Sequence, residues 1–288
     1  MPRKTKPAVT TIEQAFKDTF KRRWNGTASA ATAQANGRAA VAFLGADTRI
    51  ETITSHDLDD YQAELREQGY RPATVNKKIQ CLVTILKDSA RRGLLETLPI
   101  TPPTLQENNL KDRVITEAEE EAFCLYFDKV GQPEASALLR FMINTLARWS
   151  DIARLHVCDL HLDRQPRAEV TFRYRKNKTT STLVLPNQAR QAVLPVLAGK
   201  QPKDMVFSYS YPEFRVLFKE AKAFMGLADD KALTIHCTRH TGASRLAAKN
   251  CSLSLIMAAG GWKSLANVKR YTHFNTTLMQ QVAEMLEG

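Results

Sequence analysis

The sequence predicts a mainly α protein with one small β-hairpin, an α+β chain in two domains. Three observations carry that expectation. Apolar residues recur at helical spacing through most of both halves, alternation at a period of two is confined to one segment, and a proline-rich stretch near residue 100 interrupts the periodicity. At 288 residues the chain exceeds what one hydrophobic core usually organises, and 43% hydrophobic residues are enough to fill two.

From Thr10 to about Leu98 the pattern is helical throughout and reads as a small helical bundle. Its clearest member opens at Pro72 and carries Ile79, Leu82, Val83, Leu86 and Ala90 on one apolar stripe, with Asn76, Lys77 and Lys78 off it. It ends at Arg91-Arg92-Gly93, where helix stop signals place an end. The polar residues of this helix are expected to be either a reader of a nucleic-acid groove or a solvated basic face. Residues 99–112, including Pro99, Pro102 and Pro103, lack periodicity and are expected to link domain 1–98 to domain 113–288. About 14 extended residues reach on the order of 45 Å, enough for two domains to sit on different sides of a ligand.

The second domain starts with Thr116 as N-cap and Glu119 three residues later, the pattern of a capping box. Helices dominate again. Between Glu169 and Pro186, however, Val170, Phe172 and Tyr174 alternate outward and Leu183 and Leu185 alternate on the return, predicting a hairpin with Lys176, Asn177 and Lys178 at its tip. Near the end Gly260-Gly261 stops a helix, and Ser264 is expected to cap another that carries Tyr271 two turns in. Leu278, Val282, Met285 and Leu286 share one face of a last amphipathic helix.

The formal charge of +11 points to a polyanionic partner, because a basic surface attracts phosphate and releases counterions on contact. Residues 1–110 carry +4 and residues 111–288 carry +7, so neither half is merely a basic tail. The five cysteines are scattered without a CxxC pair, which fits reduced thiols rather than a zinc or redox centre. Residues 1–7 lack the apolar stretch of a secretory leader and no run of 18 apolar residues occurs, so a cytoplasmic, nucleoid-associated protein without a membrane partner is expected.

The chemistry-bearing residues are Arg148, Lys178, His236, Arg239, Trp262 and Tyr271. They supply cations for a phosphate, proton carriers, and a phenol that can become a covalent nucleophile. His236 and Arg239 stand at i and i+3, side by side on a helix, and the planar fork of arginine matches two phosphate oxygens. His236 and His240, at i and i+4, also permit a metal pair, but there is no HExxH and no evident third ligand. Trp262 lies 23 residues beyond Arg239, and Tyr271 nine beyond Trp262.

With these intervals the chain resembles the tyrosine recombinases of the phage integrase family. The family's Thr-Gly-x-Arg turn resembles Thr145 to Leu155, which carries its first arginine to Arg148, with Ala147 in place of the glycine and Asp151 in place of a glutamate. His-x-x-Arg-His-Thr is matched by His236 to Thr241, and the later Leu-Gly-His/Trp element by Gly260-Gly261-Trp262. Tyr271 falls where the nucleophile belongs. The family's hairpin lysine stands eight residues before a proline, as Lys178 does before Pro186, with Lys176 as the alternative. The similarity covers roughly residues 10–275 and implies an N-terminal core-binding (SAM-like) helical domain followed by a catalytic domain. An uninterrupted helix through Arg148 would aim that arginine elsewhere.

The resemblance implies a site-specific DNA recombinase that cleaves and rejoins strands through a 3′-phosphotyrosyl intermediate, with no metal, ATP or other cofactor. It implies double-stranded recombination sites as partner, a dimer on each site and a tetrameric synapse, and leaves an accessory DNA-bending or directionality factor open. Asn76, Lys77, Lys78, Arg91, Arg92 and Lys176 are the expected DNA contacts. Two other readings remain at this point. In a helix-turn-helix regulator, Ser252 to Tyr271 would bind DNA with Trp262 and Tyr271 as core aromatics, and a type IB topoisomerase would use the same groups to relax supercoils.

Overall fold

The computed structural model describes residues 10–107, 113–173, 180–268 and 271, and the chain divides into two compact units, residues 1–109 and 110–288. The first unit contains α1 (Ile12–Arg23), α2 (Ala30–Leu44), α3 (Ser55–Glu67) and α4 (Pro72–Arg91). Pro72 occupies the first helical position, where its missing N–H costs nothing. The predicted stripe of α4 is its buried seam, with Ile79, Leu82, Val83 and Leu86 at most 5% exposed, and α4 packs against each of the other three helices.

Because three helices surround it, α4 buries a wider arc than one stripe. Lys78, expected on the polar face, is buried, its stem packed and its ammonium 5.0 Å from the centroid of the Tyr70 ring. Asn76 turns inward along the chain: its amide donates to the Leu105 carbonyl and accepts the Leu105 N–H, both at 2.9 Å. Ser55 and Gln62 likewise bond the backbone of Ile100 and Pro103, so the stretch read as linker lies along this unit as far as residue 105. Lys77, Arg91 and Arg92 are exposed. Arg91 meets the buried Asp88 at 3.3 Å, Arg92 meets Asp18 at 3.1 Å, and Asp88 also takes Arg22 at 2.5 Å, which ties α1 to α4.

In the second unit the Thr116–Glu119 capping box forms in both directions, at 3.1 and 2.9 Å, and starts α5 (Glu117–Lys129). Next come α6 (Pro133–Thr145), the single turn α7 (Trp149–Ile152), and the strands β1 (Leu160–His161), β2 (Glu169–Phe172) and β3 (Ser181–Val184). Then follow α8 (Asn187–Val193), α9 (Tyr211–Phe224), α10 (Cys237–Ala248) and α11 (Leu253–Gly260). The sheet is antiparallel in the order β1-β2-β3, with Val170 opposite Leu183 and Phe172 opposite Ser181. Val170 and Phe172 face the core as the alternation predicts; β1, two residues long, carries no alternation to predict it. The predicted hairpin tip, with Lys176 and Lys178, lies outside the described residues, as does the predicted helix over 278–286.

Helix α6 runs through the centre of this unit, packed against α5, α8 and α10. Aromatic rings fill the main core, with Phe123 stacked on Phe218 at 4.5 Å between centroids. A smaller cluster gathers Leu146, Ala243, Ala247, Ile256, Val268 and Tyr271 under Trp262. One sequence expectation changes here. Ser264 caps a single 3-10 turn, Leu265–Asn267, that ends before Tyr271, and the Tyr271 N–H closes a further turn onto the Val268 carbonyl at 2.9 Å. No described helix is long and apolar enough to cross a membrane.

Candidate active site

The site is assembled from two segments about 90 residues apart in sequence. The first is the corner between α6 and α7. Helix α6 stops because Leu146 adopts a left-handed conformation (φ 54°, ψ 21°), so the chain turns, and Arg148 becomes the extended N-cap residue of α7. The uninterrupted helix through Arg148 is thereby excluded. The reading that put the missing glycine at Ala147 is also corrected: the residue with positive φ is Leu146, the second of the four, where glycine would relieve a cost of about 1–2 kcal/mol. Burial of the leucine at 4% exposure in the small cluster offsets that cost. Asp151, itself buried, accepts the backbone N–H of Arg148 at 3.1 Å and fixes the turn. The Arg148 guanidinium keeps a buried Nη1 with no hydrogen-bond partner among the described residues.

The second segment is the head of α10. His236 is the residue before the helix rather than part of it, and it is exposed; Arg239, in the first turn, is 1% exposed. The Arg239 guanidinium donates to the carbonyls of Leu146 and, at 2.6 Å, of Gly260. It lies under the Trp262 indole, 3.8 Å from the ring centroid, where cation–π attraction adds to the hydrogen bonds. Both contacts depend on small residues. A Cβ on Gly242 would sit 2.2 Å from the Ile143 carbonyl oxygen, so glycine lets α10 reach the end of α6; one on Gly260 would strike the Trp262 ring at 1.9 Å.

Tyr271 is 3% exposed, and its hydroxyl lies 2.7 Å from His240 Nδ1. His240 meets the His236 ring edge-on at 4.9 Å, and Trp262 packs on Tyr271 at 5.9 Å. In the sequence His240 stands as half of a possible metal pair and inside the His-x-x-Arg-His-Thr match, without a role of its own; its place one residue after Arg239, in the same first turn, is the available signal. The structure thus brings Arg239, His240, Trp262 and Tyr271 together, and joins them to the Arg148 corner through the Leu146 carbonyl.

The loop before His236 is held from three sides. Asp230 accepts the N–H groups of Ala232 and Leu233 at 2.9 and 3.0 Å and pairs with Arg113 at 2.8 Å. The Cys237 thiol donates to the Ala232 carbonyl and accepts the Thr234 N–H, each at 3.2 Å. The Ile115 N–H donates to Thr241 Oγ1 at 2.8 Å, which pins the first residues of the unit to α10. Hydrogen bonds from Arg113, which also holds Glu119, keep the Asp230 and Glu119 carboxyls below the usual carboxylate range, and the same bonds, that to Glu119 first, raise the arginine's own pKa.

The sequence model of the phage integrase family matches residues 113–277, more than half of the chain. The chain belongs to the phage integrase family. Among curated relatives it is similar to the integrase of Escherichia phage P2, 23% identical over 235 residues, which span 81% of this chain and 65% of that protein's length. Its fold is similar to that of the Tn1549 transposon integrase in complex with transposon right end DNA, with a TM-score of 0.79 at 14% identity over 95% of this chain and all of that one. It is also similar to the XerH site-specific recombinase bound to difH substrate in a post-cleavage complex, with a TM-score of 0.71 at 17% identity, covering 96% and 85%. A lambda integrase dimer bound to a COC′ core site matches with a TM-score of 0.71 at 14% identity, covering 89% and 96%.

Proposed function

We propose that this integrase-family chain is a site-specific DNA recombinase, and that Tyr271 is its nucleophile. The observation that carries this reading is the joint placement of the Tyr271 hydroxyl on His240 Nδ1 and of Arg239 beneath Trp262 in one small cluster. An ordinary tyrosine, with pKa near 10, is only about 0.1% phenolate at neutral pH, so it attacks phosphorus only with a base at hand. His240 is that acceptor by distance.

In the proposed step Tyr271 Oη bonds to the scissile phosphorus while its proton passes to His240, and the bond from phosphorus to the 5′ oxygen breaks. Arg239 and Arg148 neutralise the charge that builds on the non-bridging oxygens. The unpartnered Nη1 of Arg148 suits a phosphate oxygen, since a buried donor without an acceptor is costly until one arrives. Lys178, with Lys176 as alternative, would protonate the leaving 5′ oxygen. The phosphotyrosyl link conserves the phosphodiester's energy, and a 5′-hydroxyl of a partner strand reverses the step without ATP.

Double-stranded recombination sites are the proposed partner, engaged by a dimer per site and a tetrameric synapse, with residues 1–109 as a core-binding domain. The test is a nicked duplex carrying the chain's own site. A covalent adduct that survives denaturation and chelator is expected, and Tyr271→Phe is expected to abolish it with binding retained. Binding without any adduct would instead favour a regulator, and relaxation of supercoils without strand exchange a topoisomerase.

A further inference from the structure

We infer that a basic groove along α9 seats the sugar-phosphate backbone of duplex DNA beside the cleaved phosphate, a proposal that rests on the recombinase reading for its location but not for its charge. The groove encloses about 540 Å³, and its cations are Arg215, Lys219, Lys222 and Lys231. Among the described residues no carboxylate lines it. Tyr211, Arg215 and Lys219 follow one another at i, i+4 and i+8, so they share one face of α9 with about 6 Å of rise between them. The adjoining face, with Phe214 and Ala221, is buried in the core, and the buried ring of Phe218 lines the groove between the two faces.

The cations differ in what they do. Lys222 is buried, and its ammonium donates to the Asp230 carbonyl at 2.6 Å, so it serves the loop. Arg215, Lys219 and Lys231 are exposed, and among the described residues none of them takes part in an ion pair. Three like charges around one concavity repel one another, and a surface that keeps them without carboxylates is suited to a polyanion.

The groove ends at both halves of the candidate site. At one end the Tyr211 ring packs edge-on against Trp149 at 5.4 Å, and Trp149 directly follows Arg148. At the other end Thr234 and Ile235 line it, and His236 comes next. A strand whose phosphate reached Arg148 and His236 would have its flanking phosphates in reach of this groove. Contacts of this kind position a duplex and carry no base sequence.

The experiment is a salt titration of the full chain on 30-bp duplexes of unrelated sequence, comparing the parent with Arg215→Ser, Lys219→Ser, Lys231→Ser and the triple variant. Each single change is expected to lower the slope of log affinity against log salt by about one, and the triple by about three, equally on all duplexes. Arg215→Lys should keep the parent slope. Parent slopes in the triple variant, with an unchanged melting midpoint, would overturn the groove, and so would a loss confined to one duplex sequence, which would mean base reading. The covalent-adduct assay separates the two proposals: binding with these slopes but no adduct leaves the groove standing and removes the recombinase reading, whereas an adduct with parent slopes does the reverse.

Discussion

The two arginines of the site are held in opposite ways. Arg239 belongs to the scaffold: it is buried, it donates to two backbone carbonyls from different elements, and it is roofed by Trp262. Arg148 has its backbone fixed by Asp151 while one guanidinium nitrogen is buried without a partner among the described residues. The difference shows two ways in which one site can hold positive charge in readiness. One cation is stabilised by permanent dipoles and sets the geometry; the other retains bonding capacity that an anion can use.

Removing each arginine in turn gives the largest expected effect. Arg239→Ala leaves the Leu146 and Gly260 carbonyls without their donor and opens a void under Trp262, a loss on the order of 3 kcal/mol or more. For a chain of this size that corresponds to a drop of about 6 °C or more in melting midpoint. Arg148→Ala removes a donor that has no partner among the described residues, so stability is expected to change by under about 1 kcal/mol while the covalent adduct is lost. Equal thermal shifts for the two variants would break the comparison.

Gly242→Ala tests the same contrast from the backbone. A methyl group 2.2 Å from the Ile143 carbonyl oxygen forces α10 away from α6, at a cost of about 2–3 kcal/mol for such overpacking. The displacement carries Arg239 away from the Leu146 carbonyl but leaves the Asp151 cap of α7 untouched. Urea melts should show the loss, and the fluorescence of Trp262, which rests on Arg239, should change more than that of Trp149. A variant as stable as the parent would show that the close approach of the two helices is not needed.

These contrasts explain which features were legible in the sequence. The Thr116 cap, the α4 stripe and the Val170–Phe172 alternation follow local rules, because spacing alone decides them. The intervals linking Arg148, Arg239, Trp262 and Tyr271 were also readable, and three of these four meet in the cluster. Features that depend on tertiary neighbours were hidden. Leucine is a poor signal for left-handed backbone, so the corner before Arg148 was placed one residue late. Lys78 and Asn76 look like polar surface until neighbouring segments cover them. Three of the groove cations, Arg215, Lys219 and Lys222, lie on a helix whose charges alternate with aromatic core positions, and nothing in their spacing tells a bonded lysine such as Lys222 from one that is not.

The smallest effect concerns the loop that delivers His236. The carboxyls of Asp230 and Glu119 are depressed in the folded chain by hydrogen bonds from Arg113. A depressed carboxylate pKa contributes stability that is present above the unfolded value, near 4, and is lost as pH falls through the lower folded value. Stability should therefore decline below about pH 4 partly through this triad. Asp230→Asn keeps an acceptor for the Ala232 and Leu233 N–H groups but no titrating charge, so its stability should fall less steeply in acid while being slightly lower at neutral pH. Denaturant melts of both proteins between pH 3 and pH 7 give the two slopes. Because Asp230 supports only the approach to α10, backbone hydrogen exchange in acid should rise at Ala232 and Leu233 in the parent before it rises at Leu146 and Ala147. Exchange that rises together at both places would mean that the two arginine segments loosen as one piece, and the division between a fixed and an open cation would then apply to side chains alone.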